Sequence, residues 1–303
     1  MKILYVTNFR EIAKHSNGFI SDYLNDLCFY GLYELLEKNI ISELIDSTEI
    51  PSLYKEFKGL IPEKALWGGF TSFWLIDKPF QSVNRKDIAQ KIKDKYFDII
   101  IYGSVKRCLD YYDLAKEIYP PDKIILLDGN DETSLSPLSE KHPYFKRELM
   151  EKDSSGKNIH PISFSMPACK ITKNTNTVKT QKYGTVIPGK KETYLFKHSE
   201  KKYYEDYNKS FYGVTFKKVG WDCMRHYEIL GNYCMPYFTD LENCPKTTLW
   251  NFPKNKVLKA REISNSKPFK GKEYFELLNE VFEYTKTNLT TEATAKYILD
   301  KIQ

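Results

Sequence analysis

Phe97-Asp98-Ile99-Ile100-Ile101-Tyr102-Gly103, followed after a helical stretch by Lys123-Ile124-Ile125-Leu126-Leu127-Asp128, decides the fold. Each run is a short block of aliphatic and aromatic residues without polar alternation, which suits strands buried on both faces of a parallel sheet. Between them Lys106–Tyr119 reads as a helix that ends at Pro120-Pro121. The same rhythm extends upstream. Lys2–Thr7 reads as a buried strand, and Ile20, Tyr23, Leu24, Leu27, Gly31 and Leu35 recur at helical steps after Gly18. Ile41–Asp46 is a second strand and Arg85–Lys95 a second helix, with residues 50–83 an irregular covering loop rich in Pro, Gly and aromatics. This βαβα order predicts a doubly wound α/β sheet with its ligands beyond the carboxyl ends of the strands.

Downstream the apolar periodicity loosens at Arg147–Ser165, where Asp153-Ser154-Ser155-Gly156-Lys157-Asn158 has a linker composition and His160–Pro167 is an extended piece between prolines. A lobe boundary is expected there. It gives a first lobe over residues 1–155, a second over 156–270, and C-terminal helices over 271–303 that pack back on the first. In the second lobe Tyr183–Ile187 and Cys234–Phe238 read as strands, and Phe211–Phe216 is apolar. Glu200–Ser210, Trp221–Asn232, Tyr274–Thr285 and Thr291–Ile302 read as helices, the last capped by Thr290 or Thr291.

Of 303 residues, 41% are hydrophobic, so each lobe can bury a core. No segment reaches the roughly 18 unbroken apolar residues of a membrane span. The opening Met-Lys-Ile-Leu-Tyr-Val-Thr reads as a strand and not as a signal peptide, so a cytoplasmic setting with six reduced cysteines is expected (host cytoplasm for a viral protein). The net charge of +6 arises from 46 basic and 40 acidic interspersed residues; it permits anionic partners without requiring nucleic acid. Five histidines without HxxxH or HxH spacing and no CxxC predict no metal site.

The segment with most chemical content is Lys217-Lys218-Val219-Gly220-Trp221-Asp222-Cys223-Met224-Arg225-His226-Tyr227-Glu228-Ile229-Leu230-Gly231-Asn232, running on to the strand Cys234-Met235-Pro236-Tyr237-Phe238. On a helical wheel Cys223, Met224, Tyr227, Leu230 and Gly231 face the sheet, and Asp222, Arg225, His226 and Glu228 the other way. One reading is a surface helix with short-range pairs among Asp222, Arg225 and Glu228. The other is a phosphate site, in which two lysines, a helix start and an arginine one turn in converge on one point.

This segment resembles the donor-binding signature of GT-B glycosyltransferases, particularly group-1-like and exostosin-like enzymes: a small-residue turn, a helix with Tyr-Glu-x-Leu, then a small-residue-Pro strand. The resemblance implies a GT-B-like fold of two Rossmann-like lobes facing a central cleft. It implies a nucleotide-sugar substrate, UDP-linked, a hydroxyl-bearing acceptor and no separate cofactor. By position, Glu228 would hold the donor ribose, and Lys217, Lys218 or Arg225 the diphosphate, with His226 beside them. Where the family often carries another Glu, eight residues before Glu228, this chain has Gly220, so Asp222 stands in for holding the sugar.

The first lobe would then supply the acceptor site and the base. His15, Asp22, Asp128, Asp131 and Glu132 follow strand ends and are the candidates for that proton transfer, with His15, Asp128 and Asp131 taken first. Asn17 and Gly18 mark a loop at the cleft, although Ser16 or Asn17 equally suits a helix cap, and the carboxylates of Asp128-Gly129-Asn130-Asp131-Glu132 equally suit a turn. Arg147 belongs either to the interlobe cleft or to a surface salt bridge. The alternatives are a transferase acting on modified bases in DNA, as some viral GT-B enzymes do, and a non-catalytic α/β scaffold that binds nucleotide sugars. The lack of GxGxxG after the first strand disfavours a Rossmann dehydrogenase.

Overall fold

The two apolar runs lie side by side and parallel in a six-stranded sheet. The computed structural model describes residues 1–8, 22–58, 70–196, 199–266 and 270–302. The strands are β1 (Lys2–Val6), β2 (Glu43–Asp46), β3 (Ile99–Tyr102), β4 (Ile124–Asp128), β5 (Tyr144–Lys146) and β6 (Ile159–Pro161). Their spatial order is β2-β1-β3-β4-β5-β6, and every pairing is parallel. Side-chain alternation explains why the runs are apolar throughout. Ile3, Tyr5, Ile99, Ile101, Ile125 and Leu127 pack toward α1 (Tyr23–Glu37), whereas Leu4, Val6, Ile100, Tyr102 and Leu126 pack toward α2 (Ile88–Lys93) and α3 (Tyr112–Ile118).

A second parallel sheet, β7-β8-β9, is built from Gln181–Tyr183, Ser210–Thr215 and Met235–Phe238. Around it lie α4 (Glu200–Asn208), α5 (Met224–Gly231), α6 (Lys254–Asn265) and α7 (Lys272–Asn288). The chain is thus α/β with parallel sheets throughout, and the change of sheet falls between Pro161 and Gln181. β6 lies past residue 155 and belongs to the first sheet. The last helix, α8 (Thr291–Lys301), is capped by the Thr290 side chain and packs against α1. A Cβ at Gly31 would lie 2.2 Å from the Thr291 carbonyl oxygen, so this crossing needs a glycine.

Several boundaries depart from the sequence expectations. The helix expected over 106–119 begins only at Tyr112, and that over 85–95 is Ile88–Lys93. The strand expected at 183–187 is Gln181–Tyr183, while β5 and α6 have no counterpart in the sequence reading. The helix expected from Trp221 starts at Met224, with Cys223 at its N-cap. All six cysteines are free, and among the described residues no helix is long and apolar enough to cross a membrane.

Candidate functional site

A cavity of about 300 Å³ opens at the junction of the two sheets. From the first lobe come Tyr23 at the start of α1, Asp131 just after β4, and Phe164 just after β6. From the second come Lys218, Gly220 and Asp222 in the turn after β8, then Arg225 and Glu228 on α5, and Tyr203 on α4. The carboxyl ends of parallel strands are where ligands of open α/β sheets bind, because loops there are free to carry polar groups.

The turn after β8 is held from the other lobe. Glu148, 2% exposed, accepts from the backbone N–H of Trp221 at 3.0 Å with Oε2 and from that of Asp222 at 3.0 Å with Oε1. Arg147, also buried, donates from Nη1 to Glu148 Oε1 (2.9 Å) and to the Asp222 carbonyl (2.5 Å). Its Nε donates to the Gly129 carbonyl at 2.9 Å, and Nη2 pairs with Asp131. Its guanidinium lies 4.6 Å from the Phe164 ring centroid. Arg147 is therefore an interlobe residue and not part of a surface salt bridge. Gly220 is required in this clamp, since a Cβ there would meet Glu148 Oε1 at 2.7 Å and Asp131 Oδ1 at 2.8 Å. Because Glu148 occupies the N–H groups of Trp221 and Asp222, these residues form a bonded turn and not the open helix N-terminus expected from the sequence.

Arg225 has a different setting. Its Nη2 donates to the Tyr194 hydroxyl at 3.0 Å, and Nη1 approaches Cys223 Sγ at 3.9 Å. Nε is buried without a hydrogen-bond partner, and among the described residues no carboxylate comes within ion-pair distance of the guanidinium. Glu228 lies one turn along the same helix. Thr71 Oγ1 donates to its Oε1 at 2.6 Å and the Tyr203 hydroxyl to its Oε2 at 2.7 Å. Burial pushes the Glu228 carboxyl up to about 7, against the opposing pull of these two hydrogen bonds and of the Arg225 charge. Burial likewise raises Asp222 to about 7, opposed by Arg147 and by the Phe164 N–H that its Oδ2 accepts at 2.8 Å. With these two carboxyls protonated over half the time below about pH 7, the cations of the cavity are left underbalanced.

The expected residues divide accordingly. Lys218, Asp222, Arg225, Glu228 and Asp131 line the cavity together. Lys217 does not; its ammonium lies 5.2 Å from the Trp221 ring centroid and its N–H bonds Asp240. His226 turns to the opposite side of α5 and is fully buried, contrary to the outward arc of the helical wheel. It contacts Thr215 Oγ1 at 3.0 Å and the Trp221 carbonyl at 2.9 Å, and burial lowers its imidazole to about 3. Glu228 too is buried and not solvent-facing, because α5 is covered on nearly all sides. Asp128 ends β4 inside a network with Lys146 (3.1 Å), Lys106 (3.7 Å) and Tyr144, away from the cavity. His15, Asn17 and Gly18 lie outside the described residues. Sequence inspection missed Glu148, Thr71, Tyr194 and Tyr203, which carry no local pattern and gain their roles only through contacts distant in the chain.

No protein-family model and no curated protein matches the chain.

Proposed function

We propose that the chain is a glycosyltransferase with a GT-B-like pairing of its two lobes, taking a sugar from a nucleotide diphosphate donor to a hydroxyl-bearing acceptor. The observation that carries this reading is Arg225: a guanidinium on the cavity wall with a buried, unbonded Nε and no carboxylate partner among the described residues. A charged donor left in that state is costly unless a ligand anion completes it. Lys218 faces the same space, and the raised carboxyls of Asp222 and Glu228 reduce the repulsion a diphosphate would meet. Glu228, whose oxygens accept from Thr71 and Tyr203, would hold the ribose hydroxyls in this reading.

In the transfer step the acceptor hydroxyl loses its proton to a carboxylate as its oxygen bonds the anomeric carbon. The bond from that carbon to the diphosphate oxygen breaks, and the electron pair leaves with the diphosphate toward Arg225 and Lys218. Asp131 suits the base: it lines the cavity from the first lobe, Arg147 fixes Oδ1, and its side chain is 47% exposed, so an acceptor can reach it.

The test is a thermal-shift screen of UDP- and other nucleotide-linked sugars, followed by assay of nucleoside diphosphate release. At least one donor should stabilise the protein and release its nucleotide, faster with acceptor, and Asp131→Asn should slow turnover without weakening donor binding. If no nucleotide sugar stabilises the chain or turns over, the reading fails. Tight binding with no turnover would leave a nucleotide-sugar-binding scaffold instead.

A further inference from the structure

A second cavity of about 350 Å³ lies on the other side of the extended segment that follows β6. Ile162 and Ser163 line it, whereas the next residue, Phe164, lines the charged cavity. Its remaining wall comes from the loop before α6, from the end of α7 and from the first turns of α8. Among the described residues, no Asp, Glu, Lys, Arg or His lines it.

What lines it is aromatic and neutral-polar. Trp250 stacks on Tyr297 with centroids 4.5 Å apart at 30°, and remains 38% exposed. The Tyr297 and Tyr284 hydroxyls donate to the carbonyls of Pro161 (3.0 Å) and Asn251 (2.9 Å), which fixes both rings. Asn251 donates through Nδ2 to the Asn288 carbonyl at 3.2 Å, but its Oδ1 is buried without a partner. Ser163, 2% exposed, lies against the buried Tyr227 hydroxyl, which also faces Asp222. Buried polar atoms are nearly always paired, so among the described residues the unpaired Asn251 Oδ1 points to a ligand or to water that a ligand displaces.

We infer that this cavity is a binding site for a neutral saccharide, separate from the charged cavity and independent of the function proposed for it. The aromatic wall offers an apolar platform for the C–H face of a sugar ring, and a lining without charged side chains among the described residues suits an uncharged ligand, with Lys301 and Lys256 outside that lining, over the Tyr297 and Tyr284 rings. The hydroxyl and amide groups come from several elements round the cavity. That distribution matches hydroxyls radiating from a pyranose better than the single polar edge of a planar base.

Saturation-transfer NMR with glucose, galactose and N-acetylglucosamine tests this on the full chain, against Trp250→Ala, Ala293→Phe and Arg225→Ala. Ala293 lines the cavity, so a phenyl ring there fills it while the Trp250 platform stays. At least one sugar should bind wild type with a dissociation constant on the order of millimolar. Trp250→Ala and Ala293→Phe should each weaken it about tenfold or more, and Arg225→Ala should leave it unchanged. If Trp250→Ala fails to fold, Ala293→Phe decides alone. The inference is overturned if none of the three sugars binds, if binding survives Ala293→Phe but is lost in Arg225→Ala, or if uridine displaces the sugar and loses affinity itself in Ala293→Phe.

Discussion

Arg147 and Arg225 meet at the same junction and have opposite lives. Arg147 donates to two carbonyls and pairs with two carboxylates, so every part of its guanidinium is used inside the protein. Among the described residues Arg225 has a phenol and a distant thiol, and its Nε has no partner. Arg147 reaches the turn after β8 from the end of β5, and Arg225 follows that turn on α5; one is consumed in holding the turn and the other is left over. A buried cation satisfied by its own chain is a structural part; one left unsatisfied marks where a ligand belongs. The same contrast runs through the acids: among the described residues Glu148 has its arginine and Glu228 has only hydroxyls.

The largest effect should come from breaking the satisfied side. Arg147→Met leaves Glu148 buried without its cation and unties Asp131 and the Asp222 carbonyl, which is the costly way to open a buried pair. Urea unfolding should show a loss of about 3–5 kcal/mol, whereas Arg225→Met should change stability by less than about 1 kcal/mol. Equal losses in the two variants would erase the contrast.

The acids give the next largest effect, and it depends on pH. Glu228 has a folded value of about 7 against an ordinary 4.5. A carboxyl raised in the folded state keeps its proton longer there, so its stabilising share is present below about pH 4.5 and is lost as pH rises through about 7. Over that window Glu228 alone should cost the native state about 3 kcal/mol. Glu228→Gln removes the titration, so its stability relative to wild type should improve by that order between pH 4.5 and 8. A difference that stays flat across the window would mean that Glu228 is not held protonated by burial.

How far the sequence shows this architecture depends on how local the causes are. β3 and β4 announce themselves because each is an unbroken apolar run whose burial on both faces needs no further information. β5, Tyr144–Lys146, is three residues long and carries a lysine that is buried only because Asp128 from β4 meets it. β6 holds Pro161 and sits at the sheet edge, where a missing N–H is tolerated, so the same proline that suggests a linker is compatible with a strand. α6 contains only four buried residues in twelve, too few for a clear apolar stripe. At the site, the cluster of Lys218, Asp222, Arg225 and Glu228 is visible as a run of charges. Its division into used and unused charge is not. The false helix start at Trp221 shows why: the acceptor that claims the N–H groups of Trp221 and Asp222 is Glu148, far away in the chain and invisible to any local pattern.

On the unsatisfied side, Arg225→Ala should weaken UDP binding about ten- to a hundredfold, since a charge-assisted contact contributes roughly 1.5–3 kcal/mol. Calorimetric titration with UDP and with uridine separates the phosphate from the nucleoside. Uridine affinity should hardly move, and equal losses for both would take Arg225 out of the phosphate site.

The smallest effect separates two neighbouring lysines. Lys218 lines the cavity on an exposed turn, so its attraction for a diphosphate is weakened by solvent and by salt. Lys217 has its ammonium over the Trp221 ring and its N–H on Asp240, which directs it away from the cavity. Lys218→Ala should therefore weaken UDP about two- to fivefold at low ionic strength, with the loss fading toward 1 M salt, where the screening length is only about 3 Å. Lys217→Ala should leave UDP affinity unchanged at every salt concentration. Long-range attraction by general positive charge would affect both variants alike, because the two ammoniums differ by one residue. Different responses would show that the direction fixed by Trp221 and Asp240 decides which lysine serves the ligand, just as the presence or absence of a carboxylate decides it for the two arginines.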